Sequence, residues 1–304
     1  MILLPELQEQ IKAWLVGTSN QISIEVNSMS GFSFLEVRKD EVLQLAIYCQ
    51  MLTCNSPLAE PIGVPPQVIR QIFELRHSGI SAIVLWEDSW VKKMEIVKSR
   101  ILSILGYLHR IPGRLTKVRR IDKSTAISFL ESNHLQAAVS SKIQYGLYLP
   151  KSYFRILEGR IGFDTSAEEL LVGVATFAGG RVFAIGDATY RSFEMIRFCN
   201  VLNCVVVGGL NKLLASFCKD FHPGDVMTYA DLEWSDGVSY EKLGFEKINF
   251  KAPIPFWLDC ENLLRYRFEV DRQRANVQSW RLVENMGSLK FVKSYLVEQE
   301  MRQD

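Results

Sequence analysis

The sequence predicts an α+β protein, with a mixed sheet and flanking helices in the C-terminal half and a smaller α/β domain before it. Three observations carry this. At 304 residues the chain exceeds one average domain and, as a soft prior, makes two. The segment ELLVGVATF at 169–177 is almost wholly apolar, the pattern of a strand buried on both faces at the centre of a sheet. Around it, strand and helix segments alternate without the regular βα units of a doubly wound fold.

The elements follow in order. Residues 5–16 place Leu7, Ile11, Trp14 and Leu15 on one helical face. Two short strand runs, 22–26 and 32–37, flank the turn-prone SMSG. Residues 41–52 read as a helix. A loop with four prolines, SPLAEPIGVPP, leads to a helix over 66–77. The apolar run 80–86 has strand length, and EDSW opens a long helix over 88–106. IPGR at 111–114 is the best linker, which divides the chain into 1–114, 115–270 and a charged, helical tail at 271–304.

In the second part, 117–121 is a strand and 123–131 a helix with Asp122 as its N-cap. Strands are expected at 143–149, 169–177, 193–199 and 204–207. Gly208-Gly209 then opens a helix over 210–221. A strand at 225–229, a short helix at 237–243 and strands at 245–249, 255–259 and 265–269 complete the pattern.

Composition narrows the function classes. Hydrophobic residues make up 48% and charged residues 23%, as in ordinary globular proteins. The net charge of +1 advertises neither nucleic acid nor a membrane, although a local basic groove can sit inside a neutral total. The six cysteines form no CxxC pair, and neither five-residue spacing, Cys49 to Cys54 or Cys199 to Cys204, has a histidine nearby, so they read as buried reduced thiols of a cytoplasmic protein, with no metal site. The N-terminus MILLPELQEQIKAWLV lacks the marks of a signal peptide. No uninterrupted apolar stretch reaches about 18 residues, so no membrane span is expected.

Four constellations could carry chemistry. Gly208 and Gly209 before a helix let the backbone turn sharply and present unpaired N–H groups at the positive end of the dipole. With Leu210, Asn211 and the charge of Lys212, that suits a phosphate, although Gly-Gly here is often only a tight turn. Tyr229 and Asp231 end a strand where open sheets hold ligands, and Tyr240 follows on a short helix. Asp231 could equally be a turn former, and Tyr240 a packing residue. His134 lies in the polar SNHLQAAVSS and titrates near neutrality, as a general base needs. Glu194 and Arg197 sit in the apolar FEMIRFC, where strand spacing sends them to opposite faces and a structural ion pair is the plain alternative.

These residues also carry a resemblance. YEKLGF at 240–245, after the strand and helix before it, resembles the last conserved segment of the GNAT acyltransferases, with VVVGGLNKLL in the place of their pyrophosphate loop. The ordered blocks FLESNHLQ, YGLYL, ELLVGVATF, FEMIRFCN, VVGGLNKLL and YADLEWSDGVSYEKLGF, over 117–270, resemble a segment of phage homing-endonuclease-like proteins. They are similar, more distantly, to the Mom-type phage DNA-modification proteins, which convert adenine in DNA to a carbamoylmethyl form. Residues 79–106 look like the end of a Vsr-like nuclease domain; Glu25, Glu36 and Asp40 are its loose acidic candidates, with Glu36-Val37-Arg38 where a nuclease wants Glu-x-Lys.

The resemblance implies a GNAT-like fold and a transferase acting on a nucleobase or another amine, with DNA favoured as partner and acetyl-CoA or another acyl-CoA as donor. It implies catalytic roles for His134, Glu194, Arg197, Asp231 and Tyr240. Lys92, Lys98, Arg100, Arg114, Lys117, Arg119 and Arg120 concentrate positive charge near the domain junction and are expected to meet nucleic acid. Two other readings are a non-catalytic nucleic-acid-binding protein descended from a nuclease fusion, and a nuclease.

Overall fold

A computed structural model describes residues 3–52, 61–157, 163–164, 166–186, 188–268 and 280–296. The fold is α+β, with sheets of four, eight, two and three strands. In chain order the elements begin with α1 (Leu4–Val16), β1 (Ile22–Met29), β2 (Phe32–Lys39), β3 (Val42–Gln50), α2 (Pro66–His77), β4 (Ser81–Trp86) and α3 (Glu87–Ile104). There follow β5 (His109–Pro112), β6 (Lys117–Arg120), α4 (Lys123–Asn133), β7 (Ile143–Pro150), β8 (Glu169–Phe177), β9 (Arg181–Ile185) and β10 (Ala188–Asn200). The rest are β11 (Cys204–Val207), α5 (Gly209–Phe221), β12 (Asp225–Asp231), α6 (Val238–Glu241), β13 (Glu246–Lys251), β14 (Pro255–Asp259), β15 (Leu264–Arg267), β16 (Trp280–Glu284) and β17 (Ser288–Ser294).

The chain makes two compact units, 1–94 with 230–238 and 249–289, and 95–229 with 239–248 and 290–304. The sequence segments 1–114, 115–270 and 271–304 cut the chain differently, because contacts group the stretches after β12 with the N-terminal sheet. The first crossing falls inside α3, beside Lys93, whose φ of −134° interrupts the helix.

In the first unit β1, β2 and β3 form an antiparallel meander, and β4 lies parallel to β3. The expected helix at 41–52 is instead the strand β3. Its Leu45, Ala46 and Ile47 are all fully buried, so both of its faces are covered, and a continuous apolar run does not distinguish such a strand from a buried helix. Glu36 gives its carboxylate to Arg38 at 2.6 Å, and Glu25 sits across from Glu36 with Arg38 Nε at 3.8 Å. The Glu-x-Arg of β2 is thus an ion pair. Among the described residues no group of three or more His, Cys, Asp or Glu could hold a metal.

A buried polar knot closes this unit. Trp86 Nε1 donates to Glu233 Oε1 at 2.8 Å, and the Met286 backbone N–H reaches the same oxygen at 3.3 Å. Arg265 clasps Asp88 through Nε and Nη2 at 2.6 and 2.9 Å, with its guanidinium 4.4 Å from the Trp86 ring. Glu87 accepts from the Leu52 N–H at 3.1 Å. Buried charges persist only when partnered in this way.

In the second unit the strand order is β13-β17-β12-β10-β8-β7-β6, with β9 hairpinned onto β10. The apolar run read from the sequence is β8, flanked by β7 and β10, both antiparallel to it. Helix α5 packs Phe217 onto one face of this sheet, stacked at 4.0 Å on Phe177 and edge-on to Phe193 at 5.1 Å. Each such ring pair adds about 0.5–1.5 kcal/mol beyond the area it buries. Helix α4 covers the other face with Ala126 and Phe129 against Val174. Asp122 caps it by accepting from the Thr125 N–H at 2.8 Å.

Two further expectations are corrected. The tail is not helical over 280–294: it forms β16 and β17, and β17 lies inside the sheet between β12 and β13. Its charged side chains hid the alternation. The remainder of the tail, 271–279 and 297–304, lies outside the described residues. Nor are all six cysteines thiols: Cys49, Cys199, Cys204 and Cys218 are free, but Cys260 is disulfide-bonded. Cys54 lies outside the described residues. Among those described, no helix is long and apolar enough to cross a membrane.

Candidate active site

The topology of the second unit changes at β10. Its neighbour β8 runs antiparallel, whereas β12 runs parallel to it. The parallel pairing covers only Ser192–Glu194 against Asp225–Met227, and it stops before either strand ends, at Asn200 and Asp231. Strands that part at their carboxyl ends leave room between them at a topological switch, where open sheets receive ligands.

A bulge shapes what faces this opening. Met195 pairs with Phe177, but Arg197 already pairs with Thr176, so one residue of β10 is extra. Directly paired residues share a face. Glu194 and Arg197 therefore lie on the same face of the sheet, the side of Thr176, and not on opposite faces as regular spacing implies. Arg197 donates to the Ile196 carbonyl at 2.8 Å and reaches the Ala137 carbonyl at 3.5 Å. Tyr229 shares the neighbourhood: burial raises its phenol above the usual range, and the charge of Glu194 adds to that.

Tyr240 stands on α6 with its ring 5.7 Å from Phe245 and 5.6 Å from Phe291. Burial raises its pKa, while a side-chain hydrogen bond with Thr228 and the charges of Arg100 and Arg197 work the other way. Thr228 in turn donates to the Met195 carbonyl at 3.1 Å, at the bulge. His134 ends α4, with Nδ1 accepting from the Gln136 N–H at 3.1 Å.

Asp231 lies in the other unit. Its Oδ1 accepts from the Glu233 N–H at 3.0 Å, and its carbonyl accepts from the Trp234 and Ser235 N–H groups. Those bonds build a turn at the end of β12.

The glycine turn before α5 is held from within the unit. Gly208 is left-handed at φ 75° and exposed, Asn211 is exposed, and Gly209 and Leu210 are buried. Lys212 Nζ donates to the Gly113 carbonyl at 3.0 Å and to that of Thr116. A Cβ on Gly113 would meet the Val207 carbonyl oxygen at 2.5 Å, so this segment lies directly against the turn. Lys212 therefore fixes the loop.

The expected basic set is dispersed. Lys92 falls in the first unit and the other six in the second. Lys98 pairs with Glu95 at 3.0 Å, and Arg100 is half-buried. Arg119 pairs with Glu169, and Arg120 lies 5.1 Å from the Tyr145 ring. Arg114, Lys117, Arg119 and Arg120 are exposed along β6 and the turn before it, at the sheet edge.

No family model matches the sequence, and no curated protein is similar to it. Some solved structures are similar. The NAA60 of Arabidopsis thaliana in complex with acetyl-CoA, at 10% identity and a TM-score of 0.38, covers 59% of this chain and 99% of that one. The NatC complex bound to Gag peptide and CoA matches over 59% and 98%, at 8% identity and a TM-score of 0.32. The KacTA–DNA complex matches over 62% and 99%, at 14% identity and a TM-score of 0.28. These are structures of GNAT acetyltransferases.

Proposed function

We propose that the protein is a GNAT-like acyltransferase that acylates an amine of a nucleobase, with DNA as the favoured acceptor. The observation that carries this is the parting of β10 and β12 beside a bulge that turns Glu194 and Arg197 to one face, with Tyr240 bonded to Thr228 nearby. A bound acyl-CoA would supply a thioester carbonyl, whose C–S bond is exchanged for the C–N bond of an amide while the sulfur leaves as a thiol. The exposed backbone of Gly208 and Asn211, at the positive end of α5, is the seat for its phosphates.

The protein's own groups manage the protons. His134 takes the proton from the amine, because its Gln136 bond fixes the ring and an imidazole is the side chain suited to general-base work near neutrality. Tyr240, kept protonated by burial, donates towards the departing sulfur. Asp231 holds the turn at the end of β12. Glu194 and Arg197 orient the acceptor. The exposed Arg114, Lys117, Arg119 and Arg120 supply an edge for a phosphate backbone.

The test is mass spectrometry of nucleosides from cells expressing the protein. A nucleoside heavier by one acyl group is expected, falling about a hundredfold with Tyr240→Phe or His134→Ala. If wild-type cells hold no modified nucleoside and the purified protein does not bind acetyl-CoA, the proposal fails. The packing of Gly113 on the glycine turn favours a second reading, a non-catalytic nucleic-acid-binding protein. Biological activity that survives Tyr240→Phe and His134→Ala but is lost when Arg114 and Lys117 are replaced by alanine would establish it.

A further inference from the structure

The buried face of β12 carries a hydroxyl where an apolar side chain would pack as well. Alternation along the strand buries Val226 and then Thr228, which is 3% exposed. Valine has nearly the shape of threonine and leaves no polar atom to satisfy. The hydroxyl of Thr228 is satisfied by two neighbours of the same unit. It donates to the Met195 carbonyl at 3.1 Å, beside the bulge of β10, and it shares a hydrogen bond with the phenol of Tyr240.

The direction of those two bonds follows from counting protons. A carbonyl only accepts, so the single hydrogen of Thr228 goes to Met195. Thr228 can then only accept from Tyr240, and the single hydrogen of the phenol is held on Thr228. That leaves the phenol oxygen with lone pairs alone for anything else that reaches it. Once the phenol has lost its proton the order reverses, because a phenolate accepts more strongly than a carbonyl and draws the Thr228 hydrogen to itself. The other groups facing the phenol are the charges of Arg100 on α3 and Arg197 on β10, and the rings of Phe245 and Phe291. Both arginine charges favour the phenolate.

We propose that Thr228 is a positioning residue, whose hydroxyl holds the Tyr240 proton while the site waits and turns to hold the phenolate once that proton has gone to the leaving sulfur. One proton changes place: the O–H bond of the phenol breaks and an S–H bond forms on the departing thiolate. Thr228 keeps its own hydrogen throughout and only swings it from the Met195 carbonyl to the phenolate oxygen. Water returns a proton to the phenolate after the thiol has left. This inference deepens the acyltransferase reading and rests on it for the sulfur, but the paired hydroxyls are tested without turnover.

The experiment is fluorine NMR of the full-length protein carrying Tyr240→3-fluorotyrosine, whose resonance moves when the phenol ionises and whose fluorine brings that ionisation to a gentler pH. In this background Thr228→Val should raise the titration midpoint by about one pH unit, the share of one hydrogen bond to a charged oxygen, because the phenolate loses its donor. Thr228→Ser keeps the hydroxyl and should leave the midpoint in place. Thr228→Ala, which also lacks the hydroxyl, makes the same comparison if Thr228→Val does not fold. A residue that only packs would change the melting temperature and leave the midpoint where it was. That result, or a Thr228→Ser midpoint displaced as far as that of Thr228→Val, overturns the proposal. A midpoint that depends on the hydroxyl, in a protein whose cells hold no modified nucleoside, keeps Thr228 as the holder of the phenolate and removes the transferase. Modified nucleosides beside an indifferent midpoint do the reverse.

Discussion

Burial pushes the Glu233 carboxyl up to about 8, and the nearby charge of Asp231 pushes in the same direction against Arg265 and the donors Trp86 and Met286. Unfolded, the same carboxyl titrates near the ordinary glutamate value of 4.5. Between those two values the unfolded chain has lost the proton and the folded one keeps it. Stability therefore falls as pH rises through that window, by on the order of 1 kcal/mol per pH unit, and levels off above about 8. Glu233→Gln carries no titrating proton and can still accept from Trp86. Urea unfolding at pH 5 and pH 8 should show a flatter dependence for the variant and, at pH 8, stability no lower than that of wild type. A decline equal to that of wild type would move the titrating group elsewhere. Thiols give a second residue-scale expectation. Burial raises Cys49 and Cys199 to about 12. Both should resist iodoacetamide at pH 8 until the protein is denatured, because the thiolate is the reactive form. The reduced state of these thiols is legible in sequence, but the surroundings of Glu233 and Thr228 are not. Their burial and partners come from strand register, which no local pattern encodes.

Single elements were more legible where their periodicity was self-contained. The stripe Leu213, Leu214 and Phe217 on α5, the Asp122 cap of α4 and the apolar β8 are all found as read. Phe217 sits among Phe177, Phe193, Phe221 and Tyr145. Phe217→Ala should cost about 3–5 kcal/mol, read as a shift in the urea midpoint, since the surrounding rings belong to several elements and cannot close the void together. At the other end of α5, Gly113→Ala should destabilise by about 1–3 kcal/mol, because the new methyl meets backbone rather than a movable side chain. Features that depend on distant partners were missed. The strand β5 is short and pairs with β11, and β10 is regular in sequence although it contains a bulge. The misplaced faces of Glu194 and Arg197 follow from that one extra residue.

At the scale of the whole molecule, a net charge of +1 conceals an edge where Arg114, Lys117, Arg119 and Arg120 are exposed. If DNA lies along this edge, binding should weaken steeply with salt. Arg114→Ala and Lys117→Ala should each reduce the log–log salt slope by about 1, whereas Arg119→Ala should do less, because its charge is already shared with Glu169. Filter binding across a salt series measures this, and slopes unchanged in all three variants would place the nucleic acid elsewhere. The α+β class was readable from the order of segments, but the boundaries of the two units were not. Residues 230–238 and 249–289 join the N-terminal sheet through contacts far apart along the chain.

The position of β17 between β12 and β13 sets a condition on biosynthesis. An inner strand made of residues 288–294 cannot be supplied until those residues have left the ribosome. Until then β12 and β13 are separate, each with an open edge, although β12 was synthesised some sixty residues earlier. Such long-range closure is slow, and open edges invite pairing between nascent chains. A stop codon placed before residue 288 should therefore yield aggregated protein rather than a shortened native fold, and supplying β17 on a separate peptide should rescue solubility only if it reaches the chain before other copies do.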